Sequence, residues 1–222
     1  MGGADMPRII WMGNKDWGLI TNGNQQWDVE IRSKTIPDGA VALRRPANMF
    51  SGLGPYIIVP AALCFAAVIA KRMLSTEPFL AISWLPLSFV FGFITALPLH
   101  ELFHALCYHK TDRVYIGVSL RQFRAFVASA ASLSQNRFIL MSLAPSSLGM
   151  LFMIIFLIGP ASEKWLITLS LLPMFMGLIS PAPDYRDVHL FLKQVPQKAM
   201  IQPTEDGYIW HCDAKHGLSK GF

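Results

Sequence analysis

Charged side chains are scarce in this 222-residue sequence. Asp, Glu, Lys and Arg make up 15% of the residues, whereas hydrophobic residues make up 53% and the mean hydropathy is +0.40. A soluble domain usually has about 25% charged residues. The shortage of charge therefore argues against a soluble globular domain and indicates an integral membrane protein.

Cysteine is also rare, and the three in the chain are Cys64, Cys107 and Cys212. They are widely separated, form no Cys-x-x-Cys pair and are odd in number, so the sequence implies no disulfide framework. Cys107 follows His104 closely enough to share a helix face with it. A free cysteine in an apolar helix usually acts as a small apolar residue, so we do not assign Cys107 as a metal ligand.

The sequence also lacks a single basic face and a signal peptide. The formal net charge is +5 and the pI is about 9.2, but the Lys and Arg residues flank hydrophobic segments. Because cytoplasmic loops of membrane proteins are rich in Lys and Arg, we explain this charge by membrane topology and expect no nucleic acid partner. Residues 1–50 contain no apolar run long enough for a signal peptide, so internal spans are expected to direct targeting.

Long hydrophobic runs dominate the rest of the sequence. At about 1.5 Å per residue, roughly 20 apolar residues in a helix cross a hydrocarbon core about 30 Å thick. Four runs are candidate spans, of which the second is longer than the bilayer requires: residues 54–70, 79–108, 138–158 and 165–179. The sequence therefore predicts a mainly α-helical integral membrane protein with four transmembrane helices.

Prolines and small residues are expected to shape these helices. Pro60 lies near the middle of the first span. Pro86 and Pro98 lie in the second, so we expect that span to bend or break, with Pro98 just ahead of His100. In the third span, residues 145–149 (PSSLG) are small enough to let two helices pack closely.

The polar segments divide the sequence into three consecutive parts. Residues 1–48 are predicted to form a small N-terminal extramembrane segment, with a short hairpin over residues 17–31. Residues 49–195 are predicted to form the four-helix membrane domain. Residues 196–222 are predicted to be a polar tail that is partly disordered.

The loop between the second and third spans carries a strand pattern. Residues 114–120 alternate apolar and polar side chains, and a weaker extended stretch follows at residues 125–129. This predicts a short β-hairpin-like insertion between helices 2 and 3. The hairpin offers a backbone edge to an unwound peptide, or it caps the helix bundle, and both interpretations stay open.

Lys and Arg near the span ends set the expected topology. They place the N-terminus, the loop over residues 109–137 and the C-terminal tail on one side, the cytoplasmic one. The prediction is a multi-pass protein with both termini in the cytoplasm. The C-terminal ends of the second and fourth spans then lie at the same face.

A metal-binding motif, His100-Glu101-Leu102-Phe103-His104, lies near the end of the second span. In a helix, residues i and i+4 lie on one face, so both histidines can bind a single cation with Glu101 beside them. Neutral imidazole is a good zinc ligand, and an adjacent carboxylate can take a proton from metal-bound water. Because ionisable groups at membrane depth are costly unless paired, solvated or ligated, we interpret the motif as a functional site.

A catalytic site with two histidines needs a third protein ligand and one open position for water. The end of the fourth span offers Asp184, Asp187 and His189. We favour Asp187 because it opens an apolar helical run and can point into the bundle. Asp184 lies in a Pro-rich turn, where aspartate is common for local hydrogen bonding. His189 is the weaker candidate.

The order of motifs over residues 50–195 resembles that of zincin peptidases that are distant relatives of the site-2 intramembrane metalloproteases. The resemblance is carried by LPLHELFHAL, the VYIGVSL strand, RFILMSLAPSS and PDYRDVHLF. It implies four transmembrane helices, Zn2+ held by His100, His104 and an aspartate of the last span, and Glu101 as the general base. The chain lacks the late Asn-Pro-Asp-Gly type of motif found in site-2 enzymes, so the choice between Asp187 and Asp184 stays open.

The resemblance predicts a zinc-dependent, membrane-embedded peptidase acting on peptides or membrane proteins. A water activated by zinc would attack the peptide bond, with Glu101 as the catalytic base. The alternative is a metal-binding but catalytically inactive membrane protein that acts as a regulator or scaffold. A small transporter would need further charges within the first and third spans, and the sequence has none there.

Overall fold

The computed structural model describes residues 6–14, 30–46, 51–119, 121, 124–204 and 207–212. The chain divides into two compact units. The helical unit comprises Ala47–Phe103 and Ser142–Arg186, and the sheet unit comprises Met1–Pro46, His104–Met141 and Asp187–Phe222. The three consecutive segments expected from the sequence stay a prediction.

Helices make up most of the described chain. They are α1 (Gly54–Leu74), α2 (Leu85–Ile94), α3 (His100–Leu106), α4 (Gln135–Leu143), α5 (Ser146–Ile158), α6 (Lys164–Ile179) and α7 (Ala182–Gln194). A 3-10 turn, Ile82–Trp84, precedes α2, and a π-helical segment, Thr95–Leu99, joins α2 to α3.

Three helical stretches are long and apolar enough to cross a membrane: Gly54–Leu74, Ile82–Leu106 and Lys164–Gln194. Helices α4 and α5 meet at a bend of 43° and make a fourth crossing if they act as one span. The mainly helical class and the apolar stretches agree with the sequence analysis. The count of four spans stays a prediction, and the last stretch continues through α7, beyond the predicted end at residue 179.

Helix α6 is the centre of the helical unit, and glycines let its neighbours approach closely. A Cβ atom at Gly149 of α5 would lie 2.5 Å from the carbonyl carbon of Gly177 in α6. A Cβ atom at Gly177 would in turn lie 2.8 Å from the Gly149 Cα and 3.0 Å from the Thr95 Cγ2. The close packing predicted from the small residues of the third span is therefore present.

Pro173 interrupts the hydrogen bonding of α6, and α2 compensates for the interruption. Proline has no N–H, so the carbonyl of Leu169 lacks its usual helical donor. The Ser88 hydroxyl of α2 donates to this carbonyl at 3.3 Å and accepts a hydrogen bond from the Leu172 N–H at 3.1 Å. A side chain of one helix thus completes the backbone bonding of its neighbour.

Lys71, in the last turn of α1, is buried at the C-terminal end of α5. Its ammonium group donates to the Leu157 carbonyl at 3.1 Å and also to the Gly159 carbonyl. The last carbonyls of a helix lack partners within the helix, and the helix dipole favours a cation there. Lys71 therefore joins α1 to α5 without an acidic partner being needed.

The sheet unit contains β1 (Arg8–Asn14), β2 (Val41–Ala42), β3 (Arg113–Ser119), β4 (Arg124–Ala128), β5 (Leu133–Ser134), β6 (Met200–Thr204) and β7 (Gly207–His211). One sheet has the order β1-β3-β4, with β1 parallel and β4 antiparallel to β3. The other has the order β2-β7-β6-β5 and is antiparallel throughout.

The hairpin predicted from the alternating sequence is formed by β3 and β4. Gly117 of β3 lies opposite Phe126 of β4, and the aromatic ring occupies the space that a side chain at Gly117 would need. Tyr115, Phe126 and Ile31 belong to one buried cluster of the unit. The parallel pairing of β1 with β3 was not predicted.

Two predictions about the ends of the chain have different outcomes. The hairpin expected over residues 17–31 falls almost wholly on residues 15–29, which lie outside the described part of the chain. The polar tail expected from residue 196 stays a prediction, and within it residues 200–204 and 207–211 form the β6–β7 hairpin, which the sequence analysis did not predict. Tyr208 of β7 packs edge-on against Phe138 and Phe191, whose rings stack at 3.8 Å.

Candidate metal centre

The π-helical segment determines where the histidine helix begins. Pro98 lies within Thr95–Leu99 and cannot donate to the carbonyl four residues earlier, so regular α-helical bonding is interrupted there. Short π segments within helices occur frequently at functional sites. Helix α3 then starts at His100, which is the kind of break that the sequence predicted next to this residue.

His100 and His104 lie one turn apart on α3, as their spacing predicted. Both are buried, with 8% and 5% of their surface exposed. Glu101, the next residue after His100, is half-buried in the same helix. The helix itself therefore holds two imidazoles and a carboxylate close together.

Asp184 offers a third possible donor atom. It lies in the first turn of α7, and its Oδ2 atom is 3.3 Å from the Nε2 atom of His100. Two atoms bound to one tetrahedral zinc ion at about 2.0–2.1 Å lie about 3.3–3.4 Å from each other. The observed separation is therefore compatible with a shared zinc ion.

His100, His104 and Asp184 each offer one ligand atom, and these atoms all lie within 4.8 Å of one another. Two imidazoles and one carboxylate are a common ligand set of catalytic zinc, which keeps its fourth position for water. The donors present thus fit Zn2+ in number and chemical type.

The hydrogen bond made by His104 shows which of its ring nitrogens donates to the protein backbone. Its Nδ1 atom lies 2.9 Å from the carbonyl oxygen of Met141 in α4. A carbonyl can only accept a hydrogen bond, so Nδ1 carries the proton, and in the neutral imidazole Nε2 is the nitrogen with a lone pair for a metal. Such second contacts orient metal-binding histidines and set their tautomer.

Arg137 of α4 secures the end of the histidine helix. Its Nε atom donates to the Cys107 carbonyl at 2.6 Å, and Nη2 donates to the Tyr108 carbonyl at 3.3 Å. These carbonyls follow α3, where a helix lacks internal donors and its dipole favours a positive charge. Together with the Met141 contact, Arg137 lets α4 hold this segment at two points.

Asp187, the aspartate favoured from the sequence, has a different partner. It is buried, and its carboxylate forms an ion pair with Arg45 in the sheet unit. The Arg45 guanidinium in turn lies 5.1 Å from the centre of the Tyr208 ring. The group of possible ligands among the described residues contains Asp184 and not Asp187.

One reason given for preferring Asp187 is wrong. Asp184 was assigned to a Pro-rich turn, but α7 begins at Ala182 and includes Asp184 in its first turn. A carboxylate is favourable at that end of a helix, because the helix dipole is positive there. Which of the two aspartates binds metal stays a prediction.

Neither Cys107 nor His189 belongs to the group of ligand atoms found in the described chain. Burial raises the pKa of the Cys107 thiol, with the charge of Arg137 acting in the opposite direction. His189 is exposed on α7.

Sequence reasoning missed several residues around the site. Met141 acts through its backbone carbonyl, which has no side-chain signature, and Arg137 was counted as a topology signal. Arg186, two residues after Asp184, is buried and donates from Nη1 to the Ser51 carbonyl at 3.0 Å. An arginine within an apolar stretch was the available signal for it.

The comparisons with known proteins concern the same part of the chain. No curated protein and no solved structure matches the sequence significantly. Residues 93–199, slightly less than half of the chain, match a family model described as "Putative zincin peptidase". This stretch includes both histidines, Glu101 and both aspartates. The part of the chain that carries the candidate metal centre is therefore similar to the zincin peptidase family.

Proposed function

We propose that this protein is a zinc-dependent peptidase in which His100, His104 and Asp184 bind Zn2+ and Glu101 is the catalytic base. The observation that carries the proposal is the grouping of the three ligand atoms within 4.8 Å. The similarity of residues 93–199 to zincin peptidases supports the reaction class.

Bound zinc would supply a water whose pKa is lowered to about 7 and a polarised substrate carbonyl. Glu101 accepts a proton from the attacking water, whose oxygen forms a bond to the peptide carbonyl carbon. The C–N bond then breaks, and Glu101 passes the proton to the leaving nitrogen. The position of Glu101 beside His100 on α3 supports this role.

Integral membrane placement is part of the proposal. Besides the apolar helical stretches, large apolar side chains of α1 are exposed: Phe65 and Ile69 at 60% and Leu74 at 80%. An exposed apolar surface of this kind suits contact with lipid. The distribution of Lys and Arg supports a multi-pass arrangement with both termini in the cytoplasm.

The substrate we propose is an unwound peptide or a segment of a membrane protein. In the sheet β1-β3-β4, both edges of β3 are paired, so an added strand would bind to β1 or β4. The alternative is that the sheet only caps the helices. Methylating the backbone nitrogens of a cleaved peptide distinguishes the two, because it weakens binding only if the peptide adds as a strand.

Metal analysis of the purified protein tests the proposal. We expect one zinc per chain in the wild type, little in His100→Ala and Asp184→Asn, and an undiminished content in Asp187→Asn and Glu101→Gln. Asp187→Asn is the matched control, because it makes the same chemical change one turn further along α7. Zinc retained in Asp184→Asn but lost in Asp187→Asn would assign the ligand to Asp187 instead.

Hydrolysis of a peptide library tests the reaction. We expect cleavage by the wild type and none by Glu101→Gln at equal zinc content. Cleavage that persists in Glu101→Gln would refute its role as the base. Zinc binding without cleavage of any peptide by the wild type would support the inactive regulator or scaffold.

A further inference from the structure

We propose that Pro145 is a positioning residue for the metal centre, because it leaves the Met141 carbonyl without a helical donor so that this carbonyl can orient His104. The inference rests on the proposed function, since it assigns how one ligand of that site is held.

The backbone between α4 and α5 lacks one helical hydrogen bond. In an α-helix, the carbonyl of residue 141 accepts from the N–H of residue 145. Residue 145 is proline, which has no N–H. Helix α4 accordingly ends at Leu143, α5 begins at Ser146, and the two meet at 43°.

The imidazole of His104 replaces the missing donor to the Met141 carbonyl. Met141 is 7% exposed and Pro145 is fully buried, so water has little access to this carbonyl. A buried carbonyl without a partner is unfavourable. The Nδ1–H of His104, at 2.9 Å, supplies the hydrogen bond.

The chain uses the same arrangement a second time, away from the histidines. Pro173 leaves the Leu169 carbonyl without a donor, and the Ser88 hydroxyl replaces it. In both places a proline lets a neighbouring element bond to the helix backbone. At Pro145 the neighbour is a metal ligand, so the bond also fixes a tautomer.

Giving residue 145 an N–H is expected to disturb the contact between His104 and the Met141 carbonyl. In Pro145→Ala the new N–H competes with His104 for the Met141 carbonyl. His104 then loses the contact that keeps its proton on Nδ1. Loss of such a contact typically weakens metal binding about 10-fold to 100-fold.

Zinc affinity, measured by competition with a chromogenic chelator, is the first test. We expect Pro145→Ala to bind Zn2+ about 10-fold to 100-fold more weakly than the wild type. Pro173→Ala is the matched control, because it makes the same change in α6, and its affinity should equal that of the wild type. Equal affinities in all three proteins would overturn the inference, as would an equal loss in both variants.

The tautomer of His104 in metal-free protein is the second test, and it does not depend on zinc binding. At a pH where the imidazole is neutral, 15N shifts should place the proton on Nδ1 in the wild type and in Pro173→Ala. In Pro145→Ala, a substantial share of the proton should move to Nε2. A wild-type proton on Nε2 would overturn the inference even if Pro145→Ala does not fold.

The two tests also separate this inference from the proposed function. A wild type that binds no zinc refutes the zinc peptidase proposal. The inference about Pro145 is then decided by the tautomer alone, and it falls if the wild type and Pro145→Ala give the same 15N shifts.

Discussion

Replacing Gly177 by alanine tests whether close helix packing positions the metal ligands. The new Cβ would lie 2.8 Å from the Gly149 Cα and 3.0 Å from the Thr95 Cγ2, whereas ordinary Cβ contacts begin at 3.4 Å. The backbones of α5 and α6 must therefore separate by about 0.6 Å, and overpacking of this kind costs about 1–3 kcal/mol. For a chain of this size the melting temperature should fall by about 2–12 °C.

The same displacement should weaken zinc binding. Gly177 precedes Asp184 by two helical turns, and Thr95 lies just ahead of His100, so the strained contact joins the two segments that bring these ligands together. Zinc sites tolerate deviations of only about 0.2 Å in ligand distance. The Thr95 contact needs a shift of about 0.4 Å to reach 3.4 Å, which exceeds this tolerance, and we expect zinc affinity to fall about 10-fold or more.

Thermal unfolding in detergent and chelator competition measure the two effects. Gly54→Ala is the control, because a Cβ at Gly54 has no heavy atom within 4 Å. Its melting temperature and zinc affinity should match those of the wild type. If Gly177→Ala behaves like Gly54→Ala in both measurements, the contact between α5 and α6 does not position the ligands.

Three other predictions concern stability. Replacing Lys71 by methionine removes its two hydrogen bonds to carbonyls at the end of α5 and should destabilise the protein by about 1.5–3 kcal/mol, measured by thermal unfolding, without changing zinc affinity. Arg45→Met removes the ion-pair partner of the buried Asp187 carboxylate, and because the pair is partly exposed we expect a loss of about 1–3 kcal/mol, largely restored in the double variant with Asp187→Asn. Adding zinc at about 1,000 times its Kd to chelator-treated protein should stabilise the wild type by about 4 kcal/mol and His100→Ala hardly at all, which calorimetry can measure.

Local patterns in the sequence predicted much of the fold and part of the site. The spacing of His100 and His104 is a property of one helix, so their shared face follows without any knowledge of the tertiary structure. The strand β3 was predicted from alternation, and the apolar helices were predicted from hydropathy, for the same local reason.

Features that depend on distant residues could not be predicted. Asp184 and Asp187 lie one turn apart, and their different partners depend on where α7 begins and on Arg45, 142 residues away from Asp187 in the sequence. The β6–β7 hairpin and its pairing with β2 likewise depend on contacts between distant parts of the chain. Pro145 was visible in the sequence, but its consequence required knowing that His104 lies against the Met141 carbonyl.

The parallel pairing of β1 with β3 bears on how the chain is made. Arg8 is aligned with Arg113, so the first strand leaves the ribosome 105 residues before its partner. At about 5–20 residues per second, β1 waits about 5–20 s with its backbone N–H and C=O groups unpaired. Contacts so distant in sequence form slowly. The N-terminal strand is therefore the part of the sheet most exposed to aggregation during synthesis, and chaperones would be expected to bind it first.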